Sequence, residues 1–171
     1  SIFAVGTRKE QQELVAGLED CTFCNCHEID PVDFVRKQTD GAGADIVFEC
    51  VGVKDSINSA ISLAKAGGQV VFVGNPAGDI VFDKQIYWKI LRQQLVIYGT
   101  WNSSFTKEED DDWHMAVRAI QEGKIRPSAQ ITQRFAFDML HEGLKVMQDK
   151  TVFTNKVMIG GEGEDENRDI Y

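Results

Sequence analysis

The first residues of the chain that could do chemistry are Gly6, Thr7, Arg8 and Lys9, which directly follow the apolar run 2–5. Such a short, partly β-branched run predicts a buried parallel strand. In doubly wound α/β domains, an acidic residue at the end of the second strand usually binds the ribose 2′-hydroxyl of a dinucleotide. Gly6 stands where that acid would be, and Thr7 and Arg8 can bind an anion. The stretch therefore predicts a 2′-phosphate site, and NADP rather than NAD as the cofactor.

Three later strands are predicted to end in segments that could also contact a ligand. Residues 44–49 contain an apolar run bounded by turn residues and are predicted to be a fully buried strand, residues 69–73 are predicted to be another buried strand, and residues 95–98 the next strand. Residues at or just beyond their ends are Val51, Gly52, Val73, Gly74, Asn75, Gly99 and Thr100. Because strands that alternate with helices form parallel sheets with right-handed crossovers, these ends are expected along one edge. Ligands bind at that edge in such folds.

Helices are predicted between the strands. Asp30 before Pro31 is typical of a helix start, and a helix capped by Asp55 or Ser56 is expected to end at Gly67-Gly68. The other predicted elements are helices over 9–18, 85–91, 107–122 and 139–147, and strands over 21–24, 80–82, 131–135 and 153–159. Trp113, Ala116, Val117 and Ile120 are the predicted core face of helix 107–122. The fold class is thus α/β, with a Rossmann-like, doubly wound parallel sheet.

Composition narrows the range of functions. The chain has 171 residues, enough for one ordinary domain, and its net charge of −9 argues against duplex nucleic acid as a partner. No stretch resembles a membrane span or a signal peptide, so a cytoplasmic protein is expected.

A cluster of possible metal ligands forms only part of a zinc pattern: Cys21, Cys24, Cys26 and His27. A short strand with small apolar thiols is the simpler interpretation. We assign no metal site. The start without Met suggests a fragment.

Several separated segments together resemble one known family. They are residues 2–9, 39–41 with 44–52, 67–74, 89–101 and 155–159, and their order and spacing agree with the nucleotide-binding domain of the zinc-dependent medium-chain dehydrogenases. Residues 2–9 are similar to the NADP-dependent secondary alcohol dehydrogenases. Residues 89–101 look more like the polyol and hexitol-phosphate dehydrogenases, of the galactitol-phosphate and sorbitol types. The resemblance of residues 2–9 indicates the cofactor, and the resemblance of residues 89–101 indicates the class of substrate.

The resemblance implies roles for individual residues. Thr7, Arg8 and Lys9 would meet the adenosine phosphate, Val51 and Gly52 would flank the adenosine, and Val73, Gly74, Asn75, Gly99 and Thr100 would present backbone groups to the nicotinamide. Lys156 would contact a cofactor phosphate, although a solvated lysine before an edge strand is an equal alternative. No catalytic residue is assigned, and His27, His114 and His141 receive no such role. Zinc would bind in the parent protein through ligands outside this chain.

The resemblance also implies how the chain is organised. The first strand and the glycine-rich turn of the domain would precede Ser1, which leaves a gap in the sheet between the two strands before Gly41 and the three after it. Residues 1–125 would form a partial dinucleotide-binding domain, 126–159 would return to the catalytic domain, and 160–171 would be an acidic flexible tail. A homodimer or tetramer is expected.

The function that follows is the cofactor-binding part of a zinc-dependent oxidoreductase. It would transfer hydride between NADP(H) and a secondary alcohol of a polyol or sugar phosphate, although this piece alone would bind the cofactor poorly and be inactive. Two alternatives stay open: a zinc-free quinone or enoyl reductase of the same superfamily, and a non-catalytic nucleotide-binding or oligomerisation module.

Overall fold

The computed structural model describes residues 1–160, and the predicted acidic tail lies outside them except for Gly160. The chain divides into two compact units, Ser1–Asn102 and the part from Ser103 onwards. All strand pairs among the described residues are parallel. Among residues 1–160, no helix combines the length and the apolar character needed to cross a membrane.

Seven strands in residues 1–160 form three separate parallel sheets. The first sheet pairs β1 (Ile2–Gly6) with β2 (Cys21–Asn25), and the second has the order β3 (Ala44–Glu49), β4 (Ala64–Phe72), β5 (Val96–Gly99). In the second unit, β6 (Ile131–Ala136) pairs with β7 (Lys156–Gly160). The predicted break between the two strands before Gly41 and the three after it is therefore confirmed.

Six α-helices connect these strands within the described part of the chain. They are α1 (Lys9–Val15), α2 (Pro31–Gln38), α3 (Lys54–Leu63), α4 (Lys84–Arg92), α5 (Asp112–Gln121) and α6 (Leu140–Gln148). The predicted start of α2 is confirmed, because the Asp30 carboxylate accepts hydrogen bonds from the amides of Val32 (2.8 Å) and Asp33 (3.0 Å). Short 3₁₀ turns lie at Pro127–Gln130 and Phe137–Met139.

The core of the first unit lies between α2, α3 and the three-stranded sheet. Its buried side chains are Val35, Val47, Ala60, Leu63, Ala64 and Val70. Phe3 of β1 packs against this cluster, and its ring meets the ring of Phe34 edge-on with the centroids 6.0 Å apart. The same helical layer therefore covers both sheets of this unit, although no strand joins them in residues 1–102.

The structure corrects the predicted end of the third helix. It ends at Leu63 rather than at Gly67-Gly68, and both glycines lie in β4. The β3–β4 register shifts between Ala44, which pairs with Ala64, and Ile46, which pairs with Gln69. Glycine is suited to such an irregular strand because it tolerates a positive φ, here 71° at Gly67.

Four other expectations about the elements were also wrong. Residues 80–82 form no strand, and the helix predicted over 107–122 starts at Asp112 rather than at Lys107. That helix has no buried side chain, and Trp113 is 58 % exposed. Strand β3 is covered on one face only, since Phe48 is 65 % exposed. The sequence pattern shows that a residue is apolar, but it does not show whether another layer covers it.

Candidate functional site

The carboxyl ends of the three strands β3, β4 and β5 lie side by side. Glu49 pairs with Phe72, and Phe72 pairs with Gly99, so the three strands end at the same level of the sheet. The segments 51–52, 73–75 and 99–100 therefore leave the sheet at one edge. The sequence predicted this placement, whereas the contacts of these residues with a cofactor stay a prediction.

Two of the loops at this edge touch through glycine backbone. A Cβ atom added to Gly74 would lie 2.3 Å from the amide nitrogen of Gly52, and one added to Gly52 would lie 2.2 Å from the carbonyl oxygen of Asn75. Gly52 also has a φ of 80°, which L side chains rarely adopt. The amide of Ala77 donates to the Gly52 carbonyl at 3.3 Å. No other residue type fits at these two positions without moving a loop.

Glu49 connects the two loops, and sequence reasoning missed it as a site residue. Its side chain is 3 % exposed and accepts hydrogen bonds from the amides of Val51 (2.9 Å) and Gly52 (3.0 Å) and from Ser56 Oγ (2.7 Å). Its main-chain carbonyl accepts from the amides of Val73 (2.8 Å) and Gly74 (2.9 Å). One residue therefore binds the start of both edge loops.

The hydrogen bonds around Glu49 favour the ionised carboxylate. Burial raises the pKa of Glu49, but the bonds from Ser56, Gly52 and Val51 outweigh it and hold that pKa below its usual value. The signal in the sequence was an acidic residue at the last position of an apolar strand, followed by Gly52 and Ser56. A buried acid needs such donors close by, and here they all lie within seven residues.

The chemistry available at this edge follows from these contacts. The amides of Val51, Gly52, Val73 and Gly74 donate to Glu49, so they are already used within the protein. The side chains of Val51 and Val73 are 65 % and 49 % exposed. The edge thus offers apolar contact surface and a close approach of the backbone, which suits the planar, uncharged parts of a dinucleotide better than its phosphates.

A different arrangement is found at the end of β1. The side-chain oxygen of Gln11 accepts hydrogen bonds from the amides of Thr7 (2.9 Å) and Arg8 (3.0 Å). A Cβ atom at Gly6 would lie 2.5 Å from that oxygen and 2.9 Å from the ring of Phe23. These two amides are occupied by Gln11 in this structure, but its oxygen ends a flexible side chain, so an oxygen of an anion can take its place. Thr7 and Lys9 are exposed and Arg8 is half-buried, so this loop suits a phosphate.

The remaining predicted residues lie elsewhere. Gly99 ends β5, and the amide of Thr100 donates to the Phe72 carbonyl at 3.1 Å, so that Thr100 stays beside β4. Lys156 is the first residue of β7 in the second unit, and its carbonyl accepts a hydrogen bond from Thr132 Oγ1 at 3.3 Å. Its proposed contact with a phosphate stays a prediction.

His114 and the four cysteines have defined surroundings within residues 1–160. Within residues 1–160, no group of three or more His, Cys, Asp or Glu side chains is arranged to hold a metal ion. His114 Nδ1 lies 2.8 Å from the buried carboxylate of Asp111, on the first turn of α5. The four cysteines are thiols, and residues 21–24 lie on β2 as predicted.

Comparison with known proteins identifies relatives over most of the chain. Residues 1–122 match the family model described as zinc-binding dehydrogenase. L-arabinitol 4-dehydrogenase of Aureobasidium melanogenum is 28% identical over 166 residues, which are 93% of this chain and 43% of that protein. Galactitol-1-phosphate dehydrogenase from Escherichia coli has a similar structure, with a TM-score of 0.79 and 23% identity over 92% of this chain and 45% of that chain.

A second solved structure was determined with NADP bound. This protein from Sinorhizobium meliloti 1021, described as a zinc-binding dehydrogenase, gives a TM-score of 0.76 at 20% identity over 94% of this chain and 45% of that chain. The α/β structure with parallel sheets is thus the Rossmann-like nucleotide-binding fold of medium-chain dehydrogenases. Because the family model matches well over half of the chain, the chain belongs to the zinc-binding dehydrogenase family. It spans less than half the length of these relatives.

Proposed function

We propose that the chain is the NADP-binding part of a zinc-dependent oxidoreductase that acts on a secondary alcohol of a polyol or sugar phosphate. The observation that supports the choice of NADP is the glycine at position 6, which carries no acidic side chain to select a 2′-hydroxyl. A Cβ atom there would also lie 2.9 Å from the ring of Phe23 and 2.5 Å from the side-chain oxygen of Gln11, so the position is closely packed. Thr7 and Arg8 follow with two amides that converge on one oxygen.

The two ligand-binding edges would divide the cofactor between them. The loop after β1 would hold the adenosine 2′-phosphate through Gly6, Thr7, Arg8 and Lys9. The edge of the three-stranded sheet would hold the uncharged parts of the molecule, with Val51 and Gly52 at the adenosine. The segments 73–75 and 99–100 would lie at the nicotinamide. NADP, when bound, supplies the hydride acceptor, and the residues of this chain bind and orient it.

The substrate class rests on similarity. L-arabinitol 4-dehydrogenase and galactitol-1-phosphate dehydrogenase are named for a polyol and a polyol phosphate, and residues 89–101 of this chain resemble that subgroup. The zinc would act in the whole protein, since the described residues bring together no set of ligands for it.

The choice of cofactor is tested by titrating the chain with NADPH and NADH, followed by NMR chemical shifts up to millimolar concentration. The variant Arg8→Ala is expected to weaken NADPH binding about tenfold, because a charged hydrogen-bond partner of the 2′-phosphate is lost. NADH has no such phosphate, and its affinity should not change.

A matched control is Arg36→Ala. Arg36 is an exposed arginine in the last turn of α2, and α2 ends at the opposite, amino edge of the sheet from the proposed site. This variant is expected to bind both cofactors as the parent chain does. Equal affinity of the parent chain for NADPH and NADH, or an Arg8→Ala variant with both affinities unchanged, would show that the 2′-phosphate assignment is wrong.

A further inference from the structure

We propose that Glu49 is the positioning residue of this site, which holds the loops 50–53 and 73–77 at the spacing that a dinucleotide requires. The inference rests on the proposed function, because it assigns Glu49 a role toward the cofactor that the chain would bind. Glu49 itself is 3 % exposed and lies beneath the loops, so it acts through Val51 and Val73 rather than by touching the cofactor.

The side chain of Glu49 holds the first loop from below. Three donors converge on one carboxylate oxygen: the amides of Val51 (2.9 Å) and Gly52 (3.0 Å) and the hydroxyl of Ser56 (2.7 Å). The second carboxylate oxygen lies 3.2 Å from the Gly52 amide. A carboxylate only accepts hydrogen bonds, so it satisfies all of these donors, whereas the NH₂ group of a glutamine would face one of them.

The backbone of Glu49 holds the second loop. Its carbonyl accepts from the amides of Val73 and Gly74, which are the first residues after β4. At Gly74 an added Cβ atom would lie 2.8 Å from the Glu49 carboxylate and 2.3 Å from the Gly52 amide nitrogen. The two loops are therefore packed without free space, and a displacement of the loop 50–53 must also displace Gly74.

A purely structural role for Glu49 makes a different prediction. Ser56 lies in the first turn of α3, and the hydrogen bonds around it could serve only to hold the start of that helix. Loss of such a cap lowers the stability of the fold and leaves the affinity of the folded chain for a cofactor unchanged. If Glu49 positions the loops, its substitution changes the affinity of the folded chain for the cofactor. The change should be the same for NADPH and NADH, because these differ only at the distant 2′-phosphate.

The experiment compares Glu49→Gln with the parent chain in NADPH and NADH titrations, with the backbone amide signals of Gly52 and Gly74 as local reporters. Glu49→Gln should weaken both cofactors by the same factor, about tenfold, because a buried donor is left without its acceptor. The ratio of the NADPH and NADH affinities should stay as in the parent chain. Both glycine signals should shift in the variant before any cofactor is added.

Two further variants keep the test decisive. Glu19→Gln is the matched control, because Glu19 is exposed and precedes β2 at the amino end of that strand; it should bind both cofactors normally. Ser56→Ala removes one donor and leaves the carboxylate in place, so it answers the question if Glu49→Gln does not fold. It should weaken both cofactors by a smaller common factor.

Several outcomes would overturn the proposal. The first is a folded Glu49→Gln variant, or a folded Ser56→Ala variant in its place, that binds NADPH and NADH within about twofold of the parent chain. The second is a variant in which the ratio of the NADPH and NADH affinities differs from that of the parent chain. The third is a parent chain in which NADPH shifts the amide signal of neither Gly52 nor Gly74. Failure of the NADP assignment is distinguishable from these results. In that case Arg8→Ala changes nothing, while Glu49→Gln still weakens both cofactors equally.

Discussion

Gly74 is one of the two glycines through which the edge loops touch, and its substitution is expected to destabilise the fold. In Gly74→Ala the new methyl group would lie 2.3 Å from the Gly52 amide nitrogen, which is backbone and cannot rotate away. We expect a loss of about 1–3 kcal/mol in the free energy of unfolding, measured by urea denaturation. Gly78→Ala, four residues along the same loop, meets no atom within 4 Å and should stay within about 0.5 kcal/mol of the parent. Equal losses in the two variants would contradict the packing argument.

The individual residues of the site could be predicted from the sequence to different degrees. Gly52 and Gly74 could be identified because glycines that follow apolar runs mark places of close backbone approach. The role of Glu49 was missed despite the glycine and serine that follow it, because a carboxylate at the end of a strand is expected to face solvent. Its burial depends on the turn that brings the amides of Val51 and Gly52 back to its side chain. Only the three-dimensional path of the chain shows that turn.

At the scale of the elements, helix ends that are set by neighbouring residues could be predicted from the sequence. Ends and burial that depend on contacts with distant residues could not. The start of α2 could be predicted from Asp30-Pro31, because a cap and a fixed φ act within one turn of helix. The end of α3 could not, because the chain turns directly into β4 at Ala64 and pairs it with Ala44 of another strand. The apolar residues of α5 were predicted to form a buried core face, but Trp113 and Val117 are 58 % and 50 % exposed.

The cap of α5 gives a prediction for the pH dependence of stability. Burial raises the pKa of Asp111, but hydrogen bonds from the amide and ring of His114 and the amide of Thr106 outweigh it and lower that pKa to about 2. Because the pKa is lower in the folded chain than in the unfolded one, ionised Asp111 stabilises the fold above about pH 4. This stabilisation should disappear as the pH falls from about 4 towards 2.

The measurement is the free energy of unfolding of the parent chain and of Asp111→Asn between pH 2 and pH 6. Other acidic residues are common to both proteins, so the difference between the two curves isolates Asp111. That difference should be large at pH 6 and shrink towards pH 2. Asp110→Asn is the matched neighbour, since Asp110 is exposed, and its difference from the parent should stay flat. A constant difference for Asp111→Asn would refute the assignment.

At the scale of the whole molecule, the strands of the first unit form two separate sheets, as the resemblance to the medium-chain dehydrogenases implied. The pair β1–β2 and the three strands β3–β5 share one helical layer, but no strand pairing joins them in residues 1–102. The proposed phosphate loop follows β1, whereas the glycine-containing loops 50–53 and 73–77 follow β3 and β4. A dinucleotide bound at both places would therefore span two sheets that are connected by the chain through α2 and by side-chain packing, without strand pairing. Such a connection holds the two parts of a ligand site less rigidly than a continuous hydrogen-bonded sheet does.

This separation predicts weak binding of NADPH to the 171-residue chain. Fixing the two sheets relative to each other would consume part of the binding free energy, so we expect a dissociation constant for NADPH above the micromolar range.

The same separation gives a prediction for 2′,5′-ADP, which carries only the phosphate half of the cofactor. It should bind within about tenfold of NADPH, because the nicotinamide half adds little affinity when its site is not held in place. Calorimetric titration of the chain with each ligand measures both quantities, and Arg8→Ala should weaken the two ligands alike. A micromolar or tighter dissociation constant for NADPH, together with 2′,5′-ADP binding more than about a hundredfold more weakly, would show that the two edges already act as one preformed site.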